Sequence, residues 1–572
     1  MLRNGRHFPR EVTTQIRETG LITRPIGTLP LVVGMLLLAV GLLARSFALD
    51  ADPANHYIPE DIGYHVDEGY KTLAPRNLVR FGTTTAHPED GYGDGWMSAS
   101  PVTQWPYIYA FRWAGTTELT PARVVSLGYF LLVALALGYF VWVRWGGWFV
   151  PLAIGLFVAD ITLFHFSRSA LFEMAIIGFM YLGLLLAFAE RLRSGRVLSI
   201  AIVILVGAIA SYYIKLSSAV YLLPAIGGML GSAVVTSRRS GLIFTVAAAL
   251  SILFLYSTSQ AWLSRLELGQ LSTWTVLQND MHLLAPTTTI LGYLGTILIL
   301  RVKGLSETLK DGYHVALISI FVLTPLVLSL FAYDPLRYYA PAVPAGLLLA
   351  IEAIGVFRKR MDSAGGQGDW KSWLAMLLLC IPLATVIQNS FIEYVLPWLP
   401  FLQGENPGIS EPVQKVLLPI TVGGLICGMF VLHKHLSVTV SAALLATVAL
   451  HFIICTAWQY RHLSAPTYDA QRIGNLLATI VKEGELVGGD WAPMLTAGTE
   501  VRAIYMDRHY NNAATIHTVK PRYFVDAGRA DDEHNMSGML ARKDITVTEI
   551  SSLGSFHGHE LVLYELHFGG AG

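Results

Sequence analysis

Residues 29–49 read LPLVVGMLLLAVGLLARSFAL, an apolar run broken by a single charge, Arg45, close to its end. At about 1.5 Å of rise per residue, a helix of this length crosses a hydrocarbon core of roughly 30 Å. The run is too long for the core of a signal peptide, and no small-residue cleavage site of the usual kind follows it, so it reads as a retained span. Working outward from it, hydrophobic residues make up 53% of the 572 and charged residues only 14%, dispersed over many long apolar runs that a soluble core would not need. The chain therefore reads as an all-α polytopic membrane protein.

Apolar stretches of spanning length give roughly thirteen helices, near 28–48, 122–143, 147–165, 170–189, 197–213, 217–235, 241–257, 284–301, 314–331, 338–357, 372–396, 413–432 and 436–457. Loops on the cytoplasmic side hold an excess of Lys and Arg, which orients the set. The segment 1–27 carries Arg3, Arg6, Arg10, Arg17 and Arg24. Alternate loops then carry Arg144; Arg191, Arg193 and Arg196; Arg238 and Arg239; Arg301, Lys303 and Lys310; Arg358, Lys359, Arg360 and Lys371; and Lys434. The expected N-terminus is cytoplasmic and, with an odd number of spans, the C-terminus extracytoplasmic. A plasma or inner membrane is the expected location. The membrane domain is expected over 28–457, with an outward loop at 50–120, and an extracytoplasmic domain over 458–572.

Formal net charge is zero, which argues against a nucleic-acid partner. Cys380, Cys427 and Cys455 each sit inside an apolar run, which argues against a disulfide framework or a thiolate metal site. The C-terminal piece reads as a helix around 468–481 followed by strand-like runs at 485–488, 501–505, 522–525, 545–550 and 560–566, a small α/β domain. It has no phosphate-binding loop and no nucleophile elbow.

Chemistry points to the first outward loop, far longer than a helix connection needs. It opens on Asp67 and Glu68, at the head of an amphipathic stretch whose Tyr70, Leu73, Asn77, Leu78 and Phe81 share one helical face. That pattern suits a helix lying on the membrane interface and holding Asp67 near lipid headgroups. At other outward boundaries stand His165, Arg168 and Glu173, then Lys215, then Arg337 and Tyr338. Cations and carboxylates converging at one outward boundary are what a phosphate leaving group and a developing sugar cation need. Each also has a plainer reading. Arg168, Lys215 and Arg337 serve equally as snorkelling anchors, Glu68 as a solvated loop acid, and His165 as an interfacial aromatic. Asp160 and Glu352 are acids within apolar runs that the sequence leaves without a partner. His56, His65 and His87 with the loop acids are candidate ligands for a divalent metal, though no tight spacing demands one.

Asp67-Glu68-Gly69-Tyr70, the Pro101–Gly115 stretch with Trp105-Pro106-Tyr107, and Pro121-Ala122-Arg123-Val124-Val125-Ser126 together resemble a known family. So do Ser167-Arg168 through Glu173-Met174, Lys215, and Arg337-Tyr338-Tyr339 ahead of Pro341 and Pro344. The family is the polyprenyl-phosphate-sugar-dependent glycosyltransferases of GT-C fold, family 39, which holds protein mannosyltransferase-like and aminoarabinose transferase-like members. The resemblance covers roughly Leu29 to Phe357 in order. It implies an inverting transferase with Asp67 as catalytic base and a lipid-phosphate-linked sugar as donor, which explains the absence of a nucleotide-binding loop. The implied acceptor is a protein, lipid or glycan. Glu173 stands where the family usually has Asp, and the paired prolines common in its first loop are here Pro101 and Pro106, set apart. The alternative is a transporter or flippase of lipid-linked sugar; the chain lacks the duplicated halves expected of inverted repeats.

Overall fold

The computed structural model describes residues 28–53, 63–92, 97, 100–194, 281–328, 336–361, 370–390, 411–433, 435–506, 511, 513–527 and 545–569. The first run is helix α1 (Thr28–Ser46). The loop that follows holds α2 (Gly63–Lys71), α3 (Leu73–Phe81) and α4 (Pro101–Ala114). Then come α5 (Leu119–Trp145), α6 (Phe149–Ala159), α7 (Ile161–Ser167), α8 (Phe172–Ser194), α9 (Met281–Leu284) and α10 (Pro286–Lys303). After α11 (Leu305–Lys310) and α12 (Gly312–Ile318), a π-turn leads into α13 (Thr324–Leu328). A 3-10 turn (Leu336–Ala342) opens α14 (Val343–Met361), followed by α15 (Trp370–Ser390), α16 (Glu411–Val431) and α17 (Leu436–Ser464). Among the described residues five helical stretches are long and apolar enough to cross a membrane, or six if α6 and α7, bent by 65°, form one span. The count of thirteen is not reached among them, and the runs at 197–213, 217–235 and 241–257 lie outside the described residues.

The bend in the third run explains Asp160. With ψ at 128° it leaves the helix and caps α7, its Oδ1 accepting from the Leu163 amide at 2.9 Å and its Oδ2 from the Thr288 hydroxyl at 2.6 Å. A broken helix frees backbone carbonyls that lipid cannot satisfy, so protein must. Fully buried Arg45 donates to the Val158 carbonyl at 2.9 Å, and Gln459 Nε2 donates to the Val158 and Ala159 carbonyls at 3.2 and 2.6 Å. Without a hydrophobic drive between lipid-immersed helices, close backbone approach does the packing. At Gly295 of α10, an added Cβ would sit 2.7 Å from the Leu349 carbonyl oxygen of α14.

Glu352 also gains partners. It accepts from Arg144 Nε at 2.8 Å and Trp145 Nε1 at 2.7 Å, with His314 Nε2 at 3.1 Å, while Asp311 pairs with Arg144 and Lys303. Arg144 ends α5 about 30 Å along the helix from Arg123, so this network closes the bundle end opposite the first loop.

The C-terminal piece contains α18 (Asp469–Ile480), β1 (Leu486–Gly489), α19 (Ala492–Leu495), β2 (Arg502–Tyr505), α20 (Ala513–Val519), β3 (Tyr523–Ala527), β4 (Ile545–Phe556) and β5 (His559–Phe568). The strands lie in the order β2-β1-β3-β5-β4, β1 parallel to β2 and β3, β5 antiparallel to β3 and β4. Period-two alternation divides them between two faces. Val487, Ala503, Val525, Leu561 and Leu563 pack with α18 and α19, whereas Ile504, Phe524, Ile545 and Leu566 pack on α20. The first cluster also takes in Val66, Leu73, Tyr92 and Leu119, so the first loop shares a core with the C-terminal sheet.

This sharing overturns the expected interfacial helix. The amphipathic stretch is two helices broken at Thr72, because Pro75 cannot donate to the Lys71 carbonyl; Gln104 Nε2 bonds that oxygen instead at 3.0 Å. Leu73, Ala74, Pro75, Arg76 and Asn77 are buried. The helix with an open aromatic edge is α4, where Trp105, Tyr109 and Trp113 are 45%, 63% and 90% exposed.

Candidate active site between the first loop and the helix bundle

Four charged residues, none more than 5% exposed, meet where α2 enters the bundle: Asp67 and Lys71 from α2, Glu173 from the first turn of α8, and Arg337 from the 3-10 turn before α14. Arg337 Nη1 lies 2.6 Å from Asp67 Oδ2, and Lys71 Nζ 3.4 Å from the same oxygen. Both cations also face Glu173, Lys71 at 3.9 Å and Arg337 Nε at 3.8 Å. The Tyr70 hydroxyl donates a hydrogen bond to Asp67 Oδ1. Two carboxylates and two cations thus form a neutral quartet in a dry setting, where each charge is tolerated only because it is paired.

Helical spacing accounts for half of the arrangement. Asp67, Tyr70 and Lys71 share one side of α2 at i, i+3 and i+4. The rest is held by a second buried pair. Glu68 accepts from Arg123 Nε and Nη2 at 2.9 and 2.7 Å and from the Ala170 amide, and Arg123 Nη1 donates to the Leu49 and Ala51 carbonyls at 2.7 and 2.6 Å. Glu68 therefore ties α1, α2, α5 and the turn before α8 together, and its carboxylate is committed to that task. Lys71 and Arg123 are the residues the sequence reading missed. The i+4 spacing from Asp67 was the available signal for Lys71, and the Pro121–Ser126 motif that opens the second span was the signal for Arg123.

The other expected residues fall elsewhere. Arg168 donates to the carbonyls of Ala44, Arg45, Phe47 and Ala48, sealing the end of α1. His165 lines a separate polar pocket with Asp52, Arg123, Arg168 and His462, and that lining does not include Asp67. Tyr338 is buried beside the quartet, its ring centroid 5.6 Å from the Arg337 guanidinium carbon. Lys215 lies outside the described residues. No group of three His, Cys, Asp or Glu side chains able to hold a metal comes together among the described residues. His87 Nδ1 accepts from the Glu89 amide at 3.2 Å, and His56 lies outside the described residues.

The bundle with its shared loop-and-sheet core defines a polytopic membrane protein whose fold is found in solved structures. The chain is similar to the crystal structure of ArnT from Cupriavidus metallidurans bound to undecaprenyl phosphate, with a TM-score of 0.51 over 92% of this chain and 97% of that one at 13% identity. It is similar also to the same ArnT in the apo state, with a TM-score of 0.50, 13% identity and the same 92% and 97% coverage. No protein-family model and no curated protein sequence matches the chain.

Proposed function

We propose that this protein is an integral-membrane inverting glycosyltransferase of the family 39 type, moving a sugar from a polyprenyl-phosphate donor to a nucleophile on an extracytoplasmic acceptor. The observation that carries the reading is the buried quartet of Asp67, Glu173, Lys71 and Arg337. The ArnT structure with undecaprenyl phosphate supports the donor class by fold likeness.

In this mechanism Asp67 takes the proton of the acceptor hydroxyl as its oxygen bonds to the anomeric carbon from the face opposite the leaving group. The bond from that carbon to the phosphate oxygen breaks, and its electron pair leaves with the lipid phosphate. Asp67 becomes neutral as the phosphate gains a negative charge, so the total charge of site and substrates is unchanged. Lys71 and Arg337 stabilise whichever anion is present, and Glu173 keeps them in place when the phosphate departs. Glu68 and Arg168 are scaffold in this scheme, and His165 takes no part in the chemistry.

The test is transfer by the purified protein, in vesicles, from a labelled polyprenyl-phosphate sugar to acceptors in a membrane extract. Label appearing in acceptor with release of polyprenyl phosphate is expected. Labelled lipid that crosses the bilayer with its sugar still attached would instead make the protein a flippase.

A further inference from the structure

The C-terminal α/β piece packs against Tyr70, the residue whose hydroxyl bonds Asp67 in the proposed transfer site. Parallel strands β1 and β2 end at one edge of the sheet, and in such sheets the carboxyl edge is where ligands are received. Here that edge receives α2 and α3. A Cβ on Gly69 would lie 2.3 Å from the Met494 amide nitrogen of α19, so only glycine permits this approach. The buried Arg76 guanidinium donates to the carbonyls of Pro493 and of Gly69, stitching the two pieces through one side chain.

Beside this seam three tyrosine rings pack together. Tyr70 lies against Tyr505, at the end of β2, with centroids 4.5 Å apart, and meets Tyr92 edge-on at 5.7 Å; Tyr92 and Tyr505 are 4.9 Å apart. Asn511 Nδ2 donates to Asp90 Oδ1 and to the Tyr505 carbonyl, both at 2.9 Å, and Asp90 Oδ1 also accepts from the Tyr92 amide at 3.1 Å. The Tyr70 ring is thus held from the C-terminal side, while its hydroxyl bonds Asp67 Oδ1, the oxygen that Arg337 and Lys71 leave to it. Burial, and then the Asp67 charge, push the Tyr70 phenol well above its ordinary value, so it remains a donor throughout the working range.

We propose that Tyr505 is a positioning residue for the transfer reaction: its ring fixes Tyr70, Tyr70 fixes the rotation of the Asp67 carboxylate, and the C-terminal piece is thereby part of the transfer site. This rests on the glycosyltransferase reading. The groups that face Asp67 are Tyr70 and Lys71 on its own helix and Arg337 from the 3-10 turn, with Glu173 beyond both cations. A misplaced base costs rate, whereas the cations that would hold the lipid phosphate are untouched by a change at Tyr505. Misplacement by about 1 Å lowers turnover on the order of 10- to 100-fold.

The experiment is steady-state transfer by the full-length protein for Tyr505→Ala, Tyr505→Phe and Tyr70→Phe, with folding checked by thermal unfolding. Tyr505→Ala is expected to lower kcat on the order of 10- to 100-fold at unchanged KM for the donor. Tyr505→Phe keeps the ring and is expected to restore the rate. Tyr70→Phe keeps the stack and removes only the hydroxyl; it is expected to lower kcat at unchanged KM for the donor, because the Asp67 carboxylate loses the bond that fixes its rotation. Should Tyr505→Ala fail to fold, Tyr70→Phe decides the matter. Folded variants with wild-type kcat, or a Tyr505→Phe as slow as Tyr505→Ala, would overturn the inference. A wild-type protein that transfers no sugar would overturn the glycosyltransferase reading instead, so the two failures are told apart.

Discussion

Arg337 donates through Nη1 to Asp67 Oδ2 at 2.6 Å, joining the 3-10 turn ahead of α14 to the first loop, two segments far apart in sequence. The pair forms in a site where neither partner is more than 5% exposed, so each is held by the other as much as by the backbone.

Neutralising either cation separates phosphate binding from scaffold. Arg337→Gln and Lys71→Gln are expected to weaken donor binding by about 1.5–3 kcal/mol, roughly 10- to 150-fold, because a charge-assisted contact in a dry site is lost. Titration of the protein in vesicles with a polyprenyl-phosphate sugar measures this. Since Arg337→Gln also takes the nearer of two cations from Asp67, the double variant with Asp67→Asn is expected to recover folding but not donor affinity. Wild-type affinity in both single variants would remove the proposed phosphate site.

The adjacent acids divide between chemistry and structure. Asp67→Asn keeps shape and loses basicity, so transfer is expected to fall about 100- to 10,000-fold in a folded protein. Glu68→Gln leaves buried Arg123 without its carboxylate, and the expected loss is about 3–5 kcal/mol of stability, with residual activity in the fraction that folds. Thermal unfolding and single-turnover transfer on the same samples separate the two. A stable, inactive Glu68→Gln protein would reverse these roles.

The arginine asymmetry and the seam between the first loop and the sheet make the proposed sidedness testable. In a Cys427→Ala background, cysteines at the exposed positions Thr83 and Glu483 are expected to react with an impermeant reagent from outside intact cells, and one at Ser306 is not. Reaction at Ser306 alone would invert the orientation.

The sheet also carries a pH signature. Burial pushes the Asp526 carboxyl from 3.8 up to about 6, against a smaller lowering by the hydrogen bond from the Ala527 amide. A raised acid binds its proton more tightly folded than unfolded, so stability is greatest below about 4 and declines as pH rises through about 6. Hydrogen exchange over β3 in the full-length protein is expected to slow between pH 7.5 and pH 5, after correction for intrinsic rates. Asp526→Asn is expected to flatten that dependence and add on the order of 1–3 kcal/mol at pH 7.5. An unchanged profile would show that the carboxylate stays solvated.

Much of the framework was legible because apolar periodicity is a local property. The run at 29–49 became α1, the strand-like stretches at 485–488 and 522–525 became β1 and β3 within two residues, and the helix around 468–481 became α18. Asp67, Glu173 and Arg337, read from separate loops, do meet. Arg168 misled because a cation at a helix end looks the same in sequence whether it binds headgroups, phosphate or carbonyls; here four carbonyls claim it.

The sequence by itself determined that the chain carries spanning-length apolar helices and a C-terminal piece of helix and strands, since these follow from residue type and spacing along a short stretch. The partner of each buried charge was decided only by the tertiary structure. Glu68 rather than Asp67 took Arg123, Asp160 interrupted the third run and capped the next helix, and the amphipathic loop helices came to share a core with the C-terminal sheet. The physical reason is that desolvating a charge or a free carbonyl is costly anywhere in this fold, so pairing is settled by which groups the packed helices bring within reach, a three-dimensional outcome with no local pattern to announce it.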